Sequence, residues 1–159
     1  AESMVMSDRI VVMDKGYVQQ TGPPKDIYEN PANRFVADFI GLINFLEGTL
    51  IAVEDGEGVV ALLNVPGPVH LRGRLHAEMR AGARVVLAAR PESIAISNQP
   101  APGAIPGRLI RKIYLGNEMD YRVALGSFEI RASGPATSVE LMEGSGVWMT
   151  FTRIVAMPF

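Results

Sequence analysis

Residues able to perform catalysis or hold a metal are scarce in this sequence of 159 residues. Its only histidines are His70 and His76, cysteine is absent, and no further ligands stand at a spacing that would complete a zinc site. The acidic group Glu54, Asp55 and Glu57 is explained by a charged hairpin tip. The glycine-rich Walker A loop, whose backbone N–H groups cradle nucleotide phosphates, is missing. We therefore predict no catalytic residue, no cofactor site and no metal site in this chain.

Basic residues are concentrated in two stretches, residues 72–90 and residues 108–112. One interpretation is an OB-type surface for nucleic acid, but such surfaces stack bases on aromatic rings, and residues 72–90 contain none. We favour polar strand faces with salt bridges to Glu78 and Glu92, and we expect no nucleic-acid partner. An anion or small-solute pocket lined by Arg90 or Arg111 remains as an alternative.

Charge and composition favour a globular protein of the cell interior. The net charge of −2 is too close to zero to argue for nucleic acid or an anionic membrane. The absence of cysteine fits a reducing compartment, and no apolar run reaches the roughly 18 residues that span a bilayer. We expect a soluble, cytoplasmic chain of one domain, or of a small domain with an appendage.

The N-terminal part is expected to begin with a hairpin and a short helix. Apolar stretches at residues 9–13 and 17–20 flank the turn residues 14–16, which predicts a hairpin. Proline at a first helical position and Pro31 beyond the last one predict a helix over residues 24–29.

A second helix is predicted over residues 32–40, with Asn30 as its N-cap. Four apolar side chains are predicted to share one of its faces. We expect this face to pack on the β-rich part that follows, or on a second copy in an isolated fragment. These residues are Phe35, Val36, Phe39 and Ile40.

From residue 47 onward, short apolar stretches alternate with glycine and proline. Many short strands at this spacing predict a barrel or a sandwich. The predicted strands are 49–53, 59–63, 69–71, 84–89, 94–96, 108–114, 119–125, 128–132 and 147–151.

An internal echo, that is, a weak sequence repeat, divides this β-rich part into two. Residues 79–87 align with residues 141–149, each with a glycine three positions before a valine that opens an apolar strand. Upstream, residues 48–51 and 107–110 begin comparable strands with Gly-x-Leu-Ile. Two units of this kind predict two small β-lobes.

Residues 7–45 closely resemble the end of the ATP-binding domain in importer-type ABC transporter ATPases of the polyamine, ferric-iron and sugar group. In that group such a stretch leads into a β-rich accessory domain, called TOBE. The resemblance implies that residues 1–42 are the remnant of an α/β ATP-binding domain and that residues 43–159 form an OB-like TOBE domain. It is most specific at residues 7–9, Gly22, 27–28, 31–41 and 44–45.

The resemblance also implies a regulatory or interface surface. Arg90-Pro91-Glu92 after an apolar strand is a recurrent mark of these accessory domains, and Gly116 and Tyr121 look like the family's second-half hairpin. By physical reasoning alone, Pro91 fixes a strand end and the flanking charges form a local pair. We interpret the motif as a structural corner near the regulatory surface.

For the second predicted helix, residues 32–40, and for Phe45 after it, the resemblance implies interdomain or dimer packing. The candidate residues for this packing are Phe35, Val36, Phe39, Ile40 and Phe45.

The implied function is a dimerisation and regulatory region of an importer's ATPase subunit. The chain itself is not expected to be an enzyme or to bind ATP, because ATP and Mg²⁺ belong to the domain upstream. The implied partners are a second copy, a membrane permease and a solute-binding protein, on the inner face of the cell membrane. Alternatives are a stand-alone β-domain that binds a small ligand and an OB-type nucleic-acid-binding protein.

Overall fold

The N-terminal segment, residues 9–43, is a hairpin backed by two short helices in the computed structural model, which describes residues 9–136 and 140–159. The hairpin strands are β1, Ile10–Asp14, and β2, Tyr17–Gly22. The helices are α1, Pro24–Glu29, and α2, Arg34–Phe39. Alternate residues of β1 face the helices, as the period of a strand requires. The resulting small core contains Ile10, Val12, Ile27, Val36 and Ile40.

Helix α1 has the predicted bounds, but α2 begins later than predicted and has a different N-cap. Asn33, not Asn30, caps α2, because its side-chain oxygen accepts a hydrogen bond from the Val36 N–H at 3.0 Å. Ala32 stays outside the helix, since its N–H is bonded at 2.6 Å to the side chain of Gln20 in the hairpin. Neither helix of the described chain is long and apolar enough to cross a membrane.

Five strands of the β-region, residues 44–159, close into a barrel in the order β12-β5-β4-β3-β6. The last strand, β12, was not predicted from the sequence. It pairs in parallel with β5 and antiparallel with β6, and so completes the ring. The strands are β3, Asn44–Glu54; β4, Glu57–Leu62; β5, His70–Leu75; β6, Arg84–Ala89; and β12, Val155–Pro158.

The other five strands form an antiparallel sheet in the order β10-β9-β8-β11-β7. Barrel and sheet share one hydrophobic core, to which both contribute leucine, isoleucine and valine side chains. The prediction of a mainly β, OB-like fold with an N-terminal hairpin and two short helices is confirmed. These strands are β7, Ile94–Ser97; β8, Ile105–Tyr114; β9, Glu118–Leu125; β10, Phe128–Pro135; and β11, Gly146–Phe151.

The internal echo corresponds to a repeated arrangement of backbone hydrogen bonds. The N–H of Gly82 donates to the carbonyl of Leu50, and that of Gly144 donates to the carbonyl of Leu109, both at 2.7 Å. In each case the N–H of the same leucine donates a hydrogen bond to the carbonyl of the residue after the glycine, at 2.9 Å. Both glycines have positive φ, which residues with a Cβ rarely adopt. The β3–β4–β6 and β8–β9–β11 units are therefore structural repeats.

A β-bulge follows the bonded leucine in each repeat. The register shifts between Leu50 and Ala52 in β3, and between Leu109 and Arg111 in β8. The extra residue of a bulge is left outside the regular pairing. In this way each repeat turns the side chain of an isoleucine, Ile51 or Ile110, toward solvent.

Asn44 fastens the barrel to the five-stranded sheet. Its side chain is 7% exposed and donates to the carbonyls of Ala89 at 3.0 Å and Arg131 at 2.8 Å. The same amide accepts a bond from the Arg131 N–H at 2.7 Å. It therefore bonds to β10, an edge strand of the sheet, in the manner of a neighbouring strand.

Replacing Asn44 by alanine should lower the free energy of unfolding by about 2–4 kcal/mol, because it leaves buried carbonyl and N–H groups without partners. Urea denaturation followed by circular dichroism measures the change. Asn98→Ala, at an exposed position in the loop after β7, is the matched control and should cost less than about 0.5 kcal/mol. Equal effects from the two substitutions would contradict this role for Asn44.

Candidate functional site

Arg90 is buried where β6 ends and a 3-10 turn, Pro91–Ser93, begins, and its side chain is only 6% exposed. A guanidinium removed from water needs acceptors for its N–H groups. Nη1 donates to the Leu42 carbonyl at 3.0 Å, and Nη2 donates to the Tyr28 carbonyl at 3.3 Å. Because both acceptors belong to the N-terminal segment, this one side chain ties that segment to the barrel.

The ring of Tyr28 covers the same guanidinium, with its centroid 4.2 Å from Arg90 Cζ. A desolvated cation–π contact of this kind contributes about 2 kcal/mol. The Tyr28 hydroxyl donates a hydrogen bond to the Glu92 carboxylate. We call Tyr28, Leu42, Arg90 and Glu92 the junction.

Electrostatics keep Tyr28 neutral and Arg90 charged at neutral pH. Burial, followed by the hydrogen bond and charge of Glu92, raises the pKa of Tyr28 to about 12. The tyrosine therefore remains a donor to Glu92. Burial lowers the pKa of Arg90, while the charge of Glu92, and that of Tyr28 once its phenol ionises, act in the opposite direction. The usual pKa of a guanidinium is so high that Arg90 remains charged.

A cavity of about 60 Å³ lies beside the junction, between α1, β6 and β12. Arg153 also lines it and forms an ion pair with Glu29 of α1, with 3.3 Å between Nη1 and Oε2. Pockets that bind organic solutes are generally larger than ~300 Å³. A water molecule needs only ~10–15 Å³ of such space, so the cavity is of a size for ordered water.

A larger groove of about 380 Å³ opens on the outer side of the junction. The N-terminal segment, the 3-10 turn and the five-stranded sheet each provide part of its wall, and we call it the junction groove. Three carboxylates and one guanidinium line it together with apolar side chains. Its lining residues are Tyr28, Leu42, Pro91, Glu92, Leu115, Glu118, Asp120, Arg131 and Ser133.

The predicted regulatory residues divide between the junction and the sheet. Arg90, Pro91 and Glu92 lie at the junction, as described above. Gly116 lies in the β8–β9 turn with φ +90°, and Tyr121 points into the core and is 5% exposed. Glu92 and Tyr121 nevertheless share the lining of a cleft of about 320 Å³ next to the junction groove.

The apolar residues of α2 do not share one face as predicted. Val36 and Ile40 are buried against the hairpin, whereas Phe35 and Phe39 are 37% and 65% exposed. The two phenylalanine rings stack on each other outside, with centroids 6.0 Å apart. Phe45, in β3, is half-buried and packs under the guanidinium of Arg34, 4.6 Å from its ring centroid.

Sequence reasoning did not identify Tyr28, Leu42 and Asn44 as functional candidates. Tyr28 and Asn44 lie in stretches where the family resemblance is most specific. That specificity was the one feature of the sequence that could have identified them as candidates. Leu42 takes part through its carbonyl, which any residue would supply, so its identity carried no signal.

Comparison with known proteins finds relatives along most of this chain. Residues 87–159 match the TOBE domain. The spermidine/putrescine import ATP-binding protein PotA 1 of Pseudomonas aeruginosa is 44% identical over 124 residues, 78% of this chain and 33% of that protein. PotA of Ruegeria pomeroyi is 40% identical over 159 residues, 98% of this chain and 42% of that protein.

A ferric-iron relative shows similar coverage. The Fe(3+) ions import ATP-binding protein FbpC of Rhizobium etli is 38% identical over 122 residues, 77% of this chain and 33% of that protein. The chain thus spans between a third and less than half of the length of these relatives.

Among solved structures, the cytoplasmic molybdate-binding protein ModG has the same fold. The TM-score is 0.60, with 16% sequence identity, over 72% of this chain and 95% of ModG. Taken together with the sequence relatives, the chain carries a TOBE domain and is related over most of its length to the ATP-binding subunits of ABC importers for polyamines and ferric iron.

Proposed function

We propose that this chain is the C-terminal part of the ATP-binding subunit of an ABC importer. Residues 1–42 are the end of its ATP-binding domain, and residues 43–159 are an accessory domain that holds two subunits together and carries regulation. ATP and Mg²⁺ bind upstream, and the subunit works with a permease and a solute-binding protein on the inner face of the membrane. The names of the relatives support the importer assignment.

The buried contacts of Arg90 support a regulatory role. The N-terminal segment cannot move away from β6 without removing both carbonyl acceptors and the Tyr28 ring from a buried charge. Removing the partners of a buried charge lowers the free energy of unfolding by about 3–5 kcal/mol. A displacement of the ATP-binding domain is therefore passed to the accessory domain, and a displacement of the accessory domain is passed back.

Dimerisation follows from the need to keep two ATP-binding domains close while they open and close. An interface remote from the nucleotide raises the effective concentration of one domain at the other. The exposed apolar side chains Ile51, Val53 and Ile110 in the two repeats are available for such an interface.

Light scattering over a concentration series should give a mass that rises from that of one chain toward twice that value. A phosphate-free buffer without nucleotide is used, so that association depends on the chain alone. A mass of one chain at every concentration, including the highest that stays clear, would contradict the dimerisation role.

A second candidate function is the sensing of a small solute. The junction groove has a volume within the usual range of ligand pockets, roughly 300–1,000 Å³. The fold relative ModG is a molybdate-binding protein.

Isothermal titration with spermidine, putrescine, maltose, ferric citrate and molybdate tests this second function. Sensing predicts saturable heat for one of the five solutes, and loss of that heat in Glu118→Ala, which removes a carboxylate from the groove wall. Glu78→Ala, at an exposed loop position outside the groove, is the matched control. Silence across the panel would exclude solute sensing.

A further inference from the structure

The β3–β4 and β8–β9 hairpins are equivalent parts of the two repeats, yet they carry opposite charge. Residues 44–62 contain four acidic residues and no basic ones. Residues 105–125 contain four basic and two acidic residues. The repeated backbone does not require this difference in charge. Each hairpin has the same β-bulge, and its leucine, Leu50 or Leu109, makes the same hydrogen bonds to a glycine turn.

Acidic side chains gather at the tip of the β3–β4 hairpin. Glu54 and Glu57 are directly opposite in the strand register, so they lie on the same face of the hairpin. Arg72 neutralises Glu54 through an ion pair at 2.8 Å. Within the described chain, Asp55 and Glu57 form no ion pair. We call Glu54, Asp55 and Glu57 the acidic tip.

Arginines form a row across three strands of the sheet. Arg111, Arg122 and Arg131 are directly opposite one another on β8, β9 and β10. Asp120 partly neutralises this arginine row, with 3.4 Å to Arg122 and 3.9 Å to Arg131. Arg111 is exposed and has no ion pair among residues 9–136 and 140–159.

Each charged group contains like charges placed directly opposite each other, Glu54 with Glu57 and Arg111 with Arg122, and Glu57 also faces Arg74 of β5. Like charges placed directly opposite in a sheet repel each other, and each pair lowers stability. Adjacent strands are ~4.8 Å apart, so the carboxylates of the acidic tip and the guanidinium groups of the arginine row have matching spacing. Docking one group on the other would relieve both repulsions.

Exposed aliphatic side chains accompany both charged groups. Ile51 precedes the acidic tip and is 44% exposed, and Ile110 precedes Arg111 and is 46% exposed. A stable interface needs an apolar centre inside its polar rim. These two side chains can supply that centre.

The acidic tip and the arginine row lie at opposite ends of strand β3. Asn44, the first residue of β3, bonds to Arg131 of the row, and Glu54 is the last of the 11 residues of that strand. At ~3.3 Å per residue, the two groups are roughly 30 Å apart within one chain. They cannot meet within one molecule, but two copies related by a two-fold axis would form the contact twice.

We propose that the acidic tip of one copy docks on the arginine row of a second copy, and conversely, in an antiparallel two-fold dimer. This inference rests on the proposed dimerisation and names the surfaces that perform it.

Analytical ultracentrifugation of the charge-reversed variants Glu57→Lys and Arg111→Glu tests the contact. At low ionic strength, each variant alone should raise the dimer Kd by about tenfold or more, because like charges then face each other twice. An equimolar mixture of the two variants should recover the wild-type Kd to within about threefold, since every contact in the mixed dimer then joins opposite charges. Glu78→Lys and Arg80→Glu, at exposed loop positions, are the matched controls and should leave the Kd unchanged.

The possible outcomes distinguish failure of the proposed contact from failure of the proposed dimerisation. A wild-type dimer whose Kd is unaffected by the reversals, or variants whose mixture does not recover association, would overturn the contact and leave dimerisation standing. A wild-type chain that stays monomeric would overturn both. Thermal unfolding shows whether each variant folds. If a reversal prevents folding, Glu57→Gln and Arg111→Gln replace the pair, and each should raise the Kd about threefold.

Discussion

The guanidinium of Arg90 is the group around which the N-terminal segment and the barrel are assembled. It is buried at the end of β6, and its two hydrogen bonds and its aromatic cover all come from residues of the N-terminal segment. Pro91 fixes the backbone immediately after Arg90. The 3-10 turn that begins there places the Glu92 carboxylate where it accepts a hydrogen bond from the Tyr28 hydroxyl. A hydrophobic contact could slide, but a buried charge with fixed acceptors cannot. The proposed regulatory connection between the two domains requires this rigidity.

Behind the junction, two structural repeats share one core and have diverged at their surfaces. The turn at Gly82 is hydrogen-bonded to Leu50, and the turn at Gly144 is hydrogen-bonded to Leu109. These equivalent bonds give the two halves the same local backbone conformation. Asn44 then joins the halves by bonding an edge strand of the sheet. The shared core and this side chain therefore join the two halves of the β-region, whose two ends differ in charge. The fold thus holds the acidic tip and the arginine row at opposite ends of β3.

Local patterns in the sequence were enough to predict most of the strands, the hairpin and the repeat, because each of these leaves a mark within a few residues. The repeat was visible through Gly82 and Gly144, whose positive φ only a residue without Cβ adopts readily. The N-cap of α2 was predicted wrongly, because Gln20 holds the preceding backbone outside the helix. The contacts of Arg90 could not be predicted from local pattern either, since the Tyr28 carbonyl lies 62 residues away in the chain.

Hydrogen exchange of the Arg90→Met variant is the most direct test of the connection between the N-terminal segment and the barrel. The account predicts that amides of α1 and α2 exchange about tenfold faster or more than in the wild-type chain, while amides of β8 to β10 keep their rates. Arg153→Met, which removes the surface ion pair with Glu29 and leaves the contacts of Arg90 in place, should change the exchange of α1 by less than about threefold. Unchanged exchange in α1 and α2, or equal acceleration there and in the five-stranded sheet, would contradict the account.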